Sequence, residues 1–220
     1  MSKLKVSDML AQAFAAEGCE VLFTLMGDAN MYWSEAMSRL PGMRVVHARH
    51  EHCAVAMADG YARATGKVGV ASTTCGPGFT QIMTALTIAA RANVPVVVFA
   101  GDSPLAAPWY LQQIDMAPLA LATGAHHVPV RSVDRVLENV REAFHVAALE
   151  RRPVVLSVPM DLQKQAFPYM ADYTPSADVM PTPQRPRPPR SPSARPRAPR
   201  TQRRASAGAR RSPAARSSGR

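Results

Sequence analysis

Glu51 is the residue whose type and setting speak most directly of chemistry. It sits in the run Arg49-His50-Glu51-His52, at the head of an alanine-rich segment reaching Gly66, directly after the short stretch Arg44-Val45-Val46-His47. A carboxylate at a helix start, beside the end of a strand, can hold or move a proton for a ligand lying across that sheet edge. Taken by itself, the same carboxylate would do no more than favour the positive end of a helix dipole. His47, His50 and His52 lie within six residues, but spacings of three and two across a strand–helix junction turn them to divergent faces. They read as the polar edge of a pocket rather than a metal cluster, with His50 nearest to a secondary role. Gly27-Asp28 and Gly76-Pro77-Gly78 are further polar turns, and Gly76-Pro77-Gly78 would let the backbone come close to a flat ring.

Cys19, Cys53 and Cys75 show no CxxC and no Cys/His spacing, so free thiols in a reducing compartment are expected. The start Met1-Ser2-Lys3-Leu4-Lys5 has no apolar core of a secretory signal, and no apolar run approaches the ~20 residues of a membrane span. A cytoplasmic location is the default expectation.

Positioning these groups requires regular elements, and residues 1–165 supply them in alternation. Val6 to Glu17 predicts a helix with Ser7 as its cap and Gly18 as its stop. Strands are predicted at Val21–Thr24, Arg44–His47, Val68–Thr73, Val94–Ala100, Val128–Val130 and Val154–Val158. Helices are predicted over Met31–Arg39, Glu51 to near Gly66, Gly78 to about Ala92 and Val133–Arg151, with a polar loop covering Gly101 to Pro118. His126-His127 reads as a surface pair ahead of a strand, and Met31, Met37, Met57 and Met83 as packing residues. Strand–helix alternation with near-continuous apolar strands predicts an α/β fold: a six-stranded, mostly parallel sheet with helices on both faces. In such sheets ligands sit at the carboxyl ends of the strands, so the three polar turns should gather on one edge.

Residues 181–220 are of a different kind. They hold twelve Arg and nine Pro, with no Asp, Glu, Lys, Val, Ile, Leu, Met, Phe, Tyr or Trp. Setting those arginines aside turns the net charge of +10 into −2. A segment with nothing to bury cannot offset the entropy of ordering it, and disorder is expected there.

Several motifs in register resemble one family. Arg49-His50-Glu51 with Ala58-Asp59-Gly60-Tyr61-Ala62-Arg63-Ala64-Thr65-Gly66 resembles the pyrimidine-binding domain of thiamine-diphosphate enzymes of the acetolactate synthase and benzoylformate decarboxylase type. Thr74-Cys75-Gly76-Pro77-Gly78 is similar to that family's Thr-Ser-Gly-Pro-Gly turn, with Cys for Ser. Leu111-Gln112-Gln113-Ile114-Asp115 falls where the family has Phe-Gln-Glu-x-Asp, and Pro159-Met160-Asp161-Leu162-Gln163 where it has Pro-x-Asp-Val-Gln. The resemblance covers roughly residues 3–165. Leu25-Met26-Gly27-Asp28 departs from the family's Pro-Gly-Gly loop, and Gly101-Asp102 from its Gly-Gln. Both departures leave the substrate open.

The resemblance implies thiamine diphosphate as cofactor and a 2-keto acid as substrate, by decarboxylation or by ligation to acetolactate. It implies that Glu51 is the catalytic residue, hydrogen-bonding N1′ of the aminopyrimidine and favouring the imino tautomer that sets up removal of the thiazolium C2 proton. Met26, Gly27, Glu51, Pro77 and Gln81 would be cofactor-binding, with Gln112 and His50 on the substrate side and no metal ligand. Family members also carry a diphosphate-binding domain whose Gly-Asp-Gly…Asn motif holds Mg²⁺, and no Gly-Asp-Gly occurs in this chain. The expected organisation is a pyrimidine-binding domain over 1–165, a Pro-rich linker over 166–188 and a basic tail over 189–220. Whether FAD is also held is left open.

Three expectations follow. The chain is a truncated family member, inactive alone, with a frameshift near Pro188 to Arg190 producing the tail. Alternatively, it is one subunit of a split decarboxylase whose partner binds the diphosphate. A third reading is a non-enzymatic protein whose tail adheres to nucleic acid non-specifically, by charge alone. Dimerisation, as a homodimer or with a diphosphate-domain subunit, is expected in the first two.

Overall fold

The computed structural model describes residues 4–107, 109–167 and 172–179. The elements run α1 (Val6–Ala16), β1 (Val21–Thr24), α2 (Met31–Ser38), β2 (Arg44–His47), α3 (Glu51–Thr65), β3 (Gly69–Thr73), α4 (Pro77–Thr80), α5 (Met83–Arg91), β4 (Val96–Asp102), α6 (Met116–Ala122), β5 (His126–Pro129), α7 (Val136–Glu150), β6 (Pro153–Pro159), α8 (Met160–Lys164) and α9 (Ser176–Val179). The six strands form one sheet in the order β2-β1-β3-β4-β6-β5, and every pairing is parallel.

The sheet is parallel because its inner strands are apolar on both sides. β3, β4 and β6 are buried along nearly their whole length, so both faces need helical cover. On one face α1, α2 and α7 close over Leu22, Val97, Phe99 and Leu156. There Trp33 stacks on Phe99 with ring centroids 4.1 Å apart, and Phe14 meets Trp33 and Phe144 edge-on. On the other face α3, α5 and α6 close over Phe23, Ala71, Val98 and Val155.

Neighbouring strands send their chains to opposite faces between β2 and β1, and at two further places in the inner sheet. The first lies between β1, which leads to α2, and β3, which leads to α4 and α5. The second lies between β4, which leads to α6, and β6, which leads to α8. Each opens a crevice at the carboxyl edge of the sheet.

Several local expectations are corrected. The cap of α1 is Lys5, whose backbone N–H donates to the Asp8 carboxylate at 3.1 Å, while Ser7 is buried in the first turn. The helix expected through Ala92 is broken into α4 and α5. At the break the Ile82 N–H bonds to Phe79 at i−3, a tightening that buries both Phe79 and Ile82. The supposed loop up to Pro118 contains the start of α6, capped by Asp115, whose carboxylate accepts from the Ala117 N–H at 3.1 Å. Pro118 is tolerated because first-turn N–H groups lack helical partners anyway. The long helix from Val133 starts as a 3₁₀ turn over Val133–Arg135. His126 and His127 belong to β5 and are half-buried. Met37 is a core residue, whereas Met31 is 41% exposed. The disorder and frameshift expectations for 181–220 fall outside the described residues.

Candidate functional site

The first crevice brings the predicted polar turns together. β1 ends at Thr24 and delivers Leu25 to Asn30. β3 ends at Thr73 and delivers Thr74 to Gly78. β2 ends at His47, and its chain rises to Glu51 at the first position of α3. The N-cap of α3 is His50, whose ring Nδ1 accepts from the His52 N–H at 3.2 Å. That bond holds the imidazole at the helix end and leaves Glu51, half-buried, to face the β3 turn.

Glycine spacing in that turn shows how closely the pieces approach. A Cβ on Gly78 would stand 3.2 Å from the Glu51 Oε1, 3.2 Å from the Thr73 Oγ1 and 2.6 Å from the Thr74 Cγ2. The carboxylate therefore borders a backbone bare of side chain. Gly76 adopts φ 58° and ψ −120°, and a Cβ there would lie 2.4 Å from the backbone oxygen of Gln112. Gly76 is thus demanded by the packing of the 110–113 loop as well as by its own left-handed backbone. Gln112 is held against this turn, its side-chain oxygen accepting from the Cys75 thiol at 3.5 Å.

A polar network under the β1 loop was not foreseen. Asn30 is buried; its Oδ1 accepts from the Gly27 N–H at 2.7 Å, and its Nδ2 donates to the Leu25 carbonyl and to the Ser72 Oγ. Ser72 also pairs with the Thr24 hydroxyl at 2.6 Å, and the Thr74 hydroxyl accepts from the Ala29 N–H at 3.2 Å. From α8, the buried Gln163 donates to the Ala29 carbonyl at 2.7 Å and to the Val158 carbonyl at 3.1 Å. Asn three residues after Gly27, just before a helix, was the available signal. Apart from the Gln163 Oε1, which is buried without a partner, the network is bonded throughout and fixes the loop in a single shape.

The structure thus gathers Glu51, Gly27, Gly76, Gly78 and Gln112 around the ends of β1 and β3. Pro77 and Gln81 stand exposed at the two ends of α4, and His50 is exposed at the α3 cap. Met26 is exposed, and with Gly27, Met31 and Tyr32 it lines an apolar hollow of about 570 Å³. Among the described residues, no group of three or more His, Cys, Asp or Glu could hold a metal, and no helix is long and apolar enough to cross a membrane.

Comparison with known proteins identifies the family. Residues 4–119 match the family model described as thiamine pyrophosphate enzyme, N-terminal TPP binding domain. The chain is 35% identical over 176 residues to the acetolactate synthase large subunit of Haemophilus influenzae, covering 79% of this chain and 31% of that protein. It is 33% identical over 175 residues to the acetolactate synthase isozyme 3 large subunit of Escherichia coli, covering 77% and 30%, and 36% identical over 164 residues to acetolactate synthase 2, chloroplastic, of Nicotiana tabacum, covering 73% and 25%. The chain therefore spans less than a third of the length of these relatives. With that family's model matching more than half of the sequence, the chain belongs to the thiamine pyrophosphate enzymes, through their N-terminal TPP-binding domain.

Proposed function

We propose that this chain supplies the aminopyrimidine half of a thiamine-diphosphate site in an enzyme acting on 2-keto acids, of the acetolactate synthase kind. The observation that carries the reading is the Glu51 carboxylate beside the side-chain-free backbone of Gly78. The missing side chain lets Glu51 pack against the β3 turn, and a half-buried carboxylate held there can accept or share a ring proton. When bound, the cofactor supplies carbanion chemistry at its thiazolium carbon. Glu51 holds the proton at N1′ of the pyrimidine, the task that makes it the catalytic residue. Met26, Gly27, Pro77 and Gln81 border the ring, while Gln112, fixed by Cys75, and His50 face the substrate.

Diphosphate and Mg²⁺ are held by a diphosphate-binding domain, whose Gly-Asp-Gly motif does not occur within these 220 residues. The domain proper extends over 1–165, followed by a linker over 166–188 and a basic tail over 189–220 that adheres to nucleic acid by charge alone. The reading includes a cytoplasmic location, in keeping with three unpaired cysteines.

The test uses the full chain and the probe 4-amino-5-hydroxymethyl-2-methylpyrimidine, which needs no diphosphate domain. Expected are chemical-shift changes around Glu51, Gly76 and Gly78 that Glu51→Gln removes, and no acetolactate from pyruvate by the chain alone. Absence of shifts at these residues, or turnover by the isolated chain, would overturn the reading.

A further inference from the structure

At the second crevice, the end of β4, the start of α6, His127 and Arg131 line a cavity of about 470 Å³ that the thiamine reading does not use. Its wall combines opposite charges. Asp102, at the end of β4, has a side chain 13% exposed, and Arg131, just after β5, has one 60% exposed; their charged atoms stand 3.8 Å apart. Asp115, the α6 cap, and His127 on β5 face the same space, with Leu105 and Ile114 as apolar wall.

Each group is held in place from behind. The Asp102 Oδ1 accepts from the Ser103 N–H at 2.7 Å and lies 3.3 Å from its hydroxyl, so the other oxygen faces Arg131. The His127 Nε2 is bonded to the buried Ser157 hydroxyl at 2.9 Å, across from β6. Asp115 is tied to the first turn of α6. Arg131 reaches in from the rim, and 3.8 Å is too long for a tight guanidinium–carboxylate pair. Burial pushes the Asp102 carboxyl above the usual carboxylate range, so a positive group brought beside it would relieve a cost the fold already bears.

A purely anionic ligand would meet two carboxylates here, and a purely cationic one would meet Arg131. A molecule with both charges a few ångströms apart satisfies both. We propose that this crevice binds a small zwitterion of the α-amino-acid class, its ammonium set between Asp102 and Asp115, its carboxylate on Arg131, and an apolar side chain against Leu105 and Ile114. The cavity is large enough for such a molecule with accompanying water. Gln112 and Gln113, adjacent in sequence, divide the two sites: Gln112 packs on the Gly76 turn, and Gln113 lines this cavity. The site is independent of the thiamine reading and stands or falls without it.

The test compares norleucine with hexanoate, which lacks its ammonium, and with pentylamine, which lacks its carboxylate. Binding to the full 220-residue chain is followed by the His127 ring resonances and by calorimetry. Norleucine is expected to bind in the millimolar range or tighter, with hexanoate and pentylamine each weaker by about tenfold or more. Arg131→Gln, at an exposed position, should bring norleucine down to the level of pentylamine, and Asp102→Asn should bring it down to that of hexanoate. Equal binding of the three probes, binding unchanged in both variants, or norleucine binding that leaves His127 unmoved would overturn the proposal.

Discussion

Glu51 and Gly78 meet where β2 and β3 deliver their chains to the same edge: the Glu51 Oε1 lies 3.2 Å from the point a Cβ on residue 78 would occupy. The two are 27 residues apart in sequence, and only the crossing of α3 over the sheet joins them. The relationship packs the carboxylate against a turn with no room for a side chain, and the first prediction tests it. Gly78→Ala would press a methyl against Thr74 and Glu51 and should cost about 1–3 kcal/mol of stability, with loss of pyrimidine-fragment binding. Gly60→Ala, inside α3 and with nothing within 4 Å, should stabilise by about 0.5–1 kcal/mol and leave binding intact. Urea unfolding and fragment titration of the two variants distinguish site geometry from general glycine effects.

The three thiols should separate by reactivity. Cys53 is exposed, Cys19 and Cys75 are buried, and burial pushes the Cys19 thiol up to about 12. With a disulfide reagent at pH 8, one thiol of the folded chain should react rapidly and all three after denaturation. Cys53→Ser should remove the rapid phase. Rapid reaction of two thiols in the native chain would contradict this packing.

His127 ties pH to stability with a definite sign. Burial, first, and nearby Arg131, second, pull its ring below its ordinary value of 6.5. The folded chain then binds fewer protons than the unfolded one just below that value. The stability contributed is fully present above pH 6.5 and is lost as pH falls toward the folded value. His127→Gln should flatten this part of the curve in urea unfolding between pH 7.5 and 5.5. A wild-type stability that rises on acidification across that interval, and does so less in the variant, would refute it.

Glu17 anchors the segment that follows the last strand. Its carboxylate accepts from the Tyr173 hydroxyl and from the Ser176 N–H and hydroxyl, the latter two at 2.7 Å. Arg141 adds a bond to the Thr174 carbonyl at 3.1 Å and lies over the Tyr173 ring. Glu17→Ala leaves these donors unsatisfied at about 1–3 kcal/mol, and residues 172–179 should become the first site of proteolytic cleavage. Unchanged cleavage kinetics would show that Arg141 alone suffices.

The stacking of Trp33 on Phe99 joins α2 to β4, and Trp33→Ala should cost about 3–5 kcal/mol in urea unfolding. A loss below 1 kcal/mol would mean that the face over α1 and α2 repacks freely.

Much of the architecture could be read from the residues because its signals are local. Val21–Thr24 and Arg44–His47 were delimited by apolar runs between turn residues and are found with the same bounds. Gly66 ends α3 at φ 75°, where a glycine is favoured. Strand–helix alternation was enough for a parallel α/β sheet. What it missed was governed by contacts. α6 begins with a proline in its first turn, which looks like loop until Asp115 is seen capping it. α4 and α5 part because Phe79 and Ile82 must both reach the core.

The family, the strand-and-helix succession and the nomination of Glu51 are legible in the residues, because motif residues lie close together along the chain. Which turns face one another depends instead on how distant segments pair and cross. Strand order places β3 beside β1, bringing Gly78 to Glu51 and burying Asn30 under the Gly27 turn. The same order places β6 between β4 and β5, which opens a second crevice holding Asp102, Arg131 and His127. These residues have no common sequence pattern, since their proximity comes from parallel crossovers that pass over a neighbouring strand.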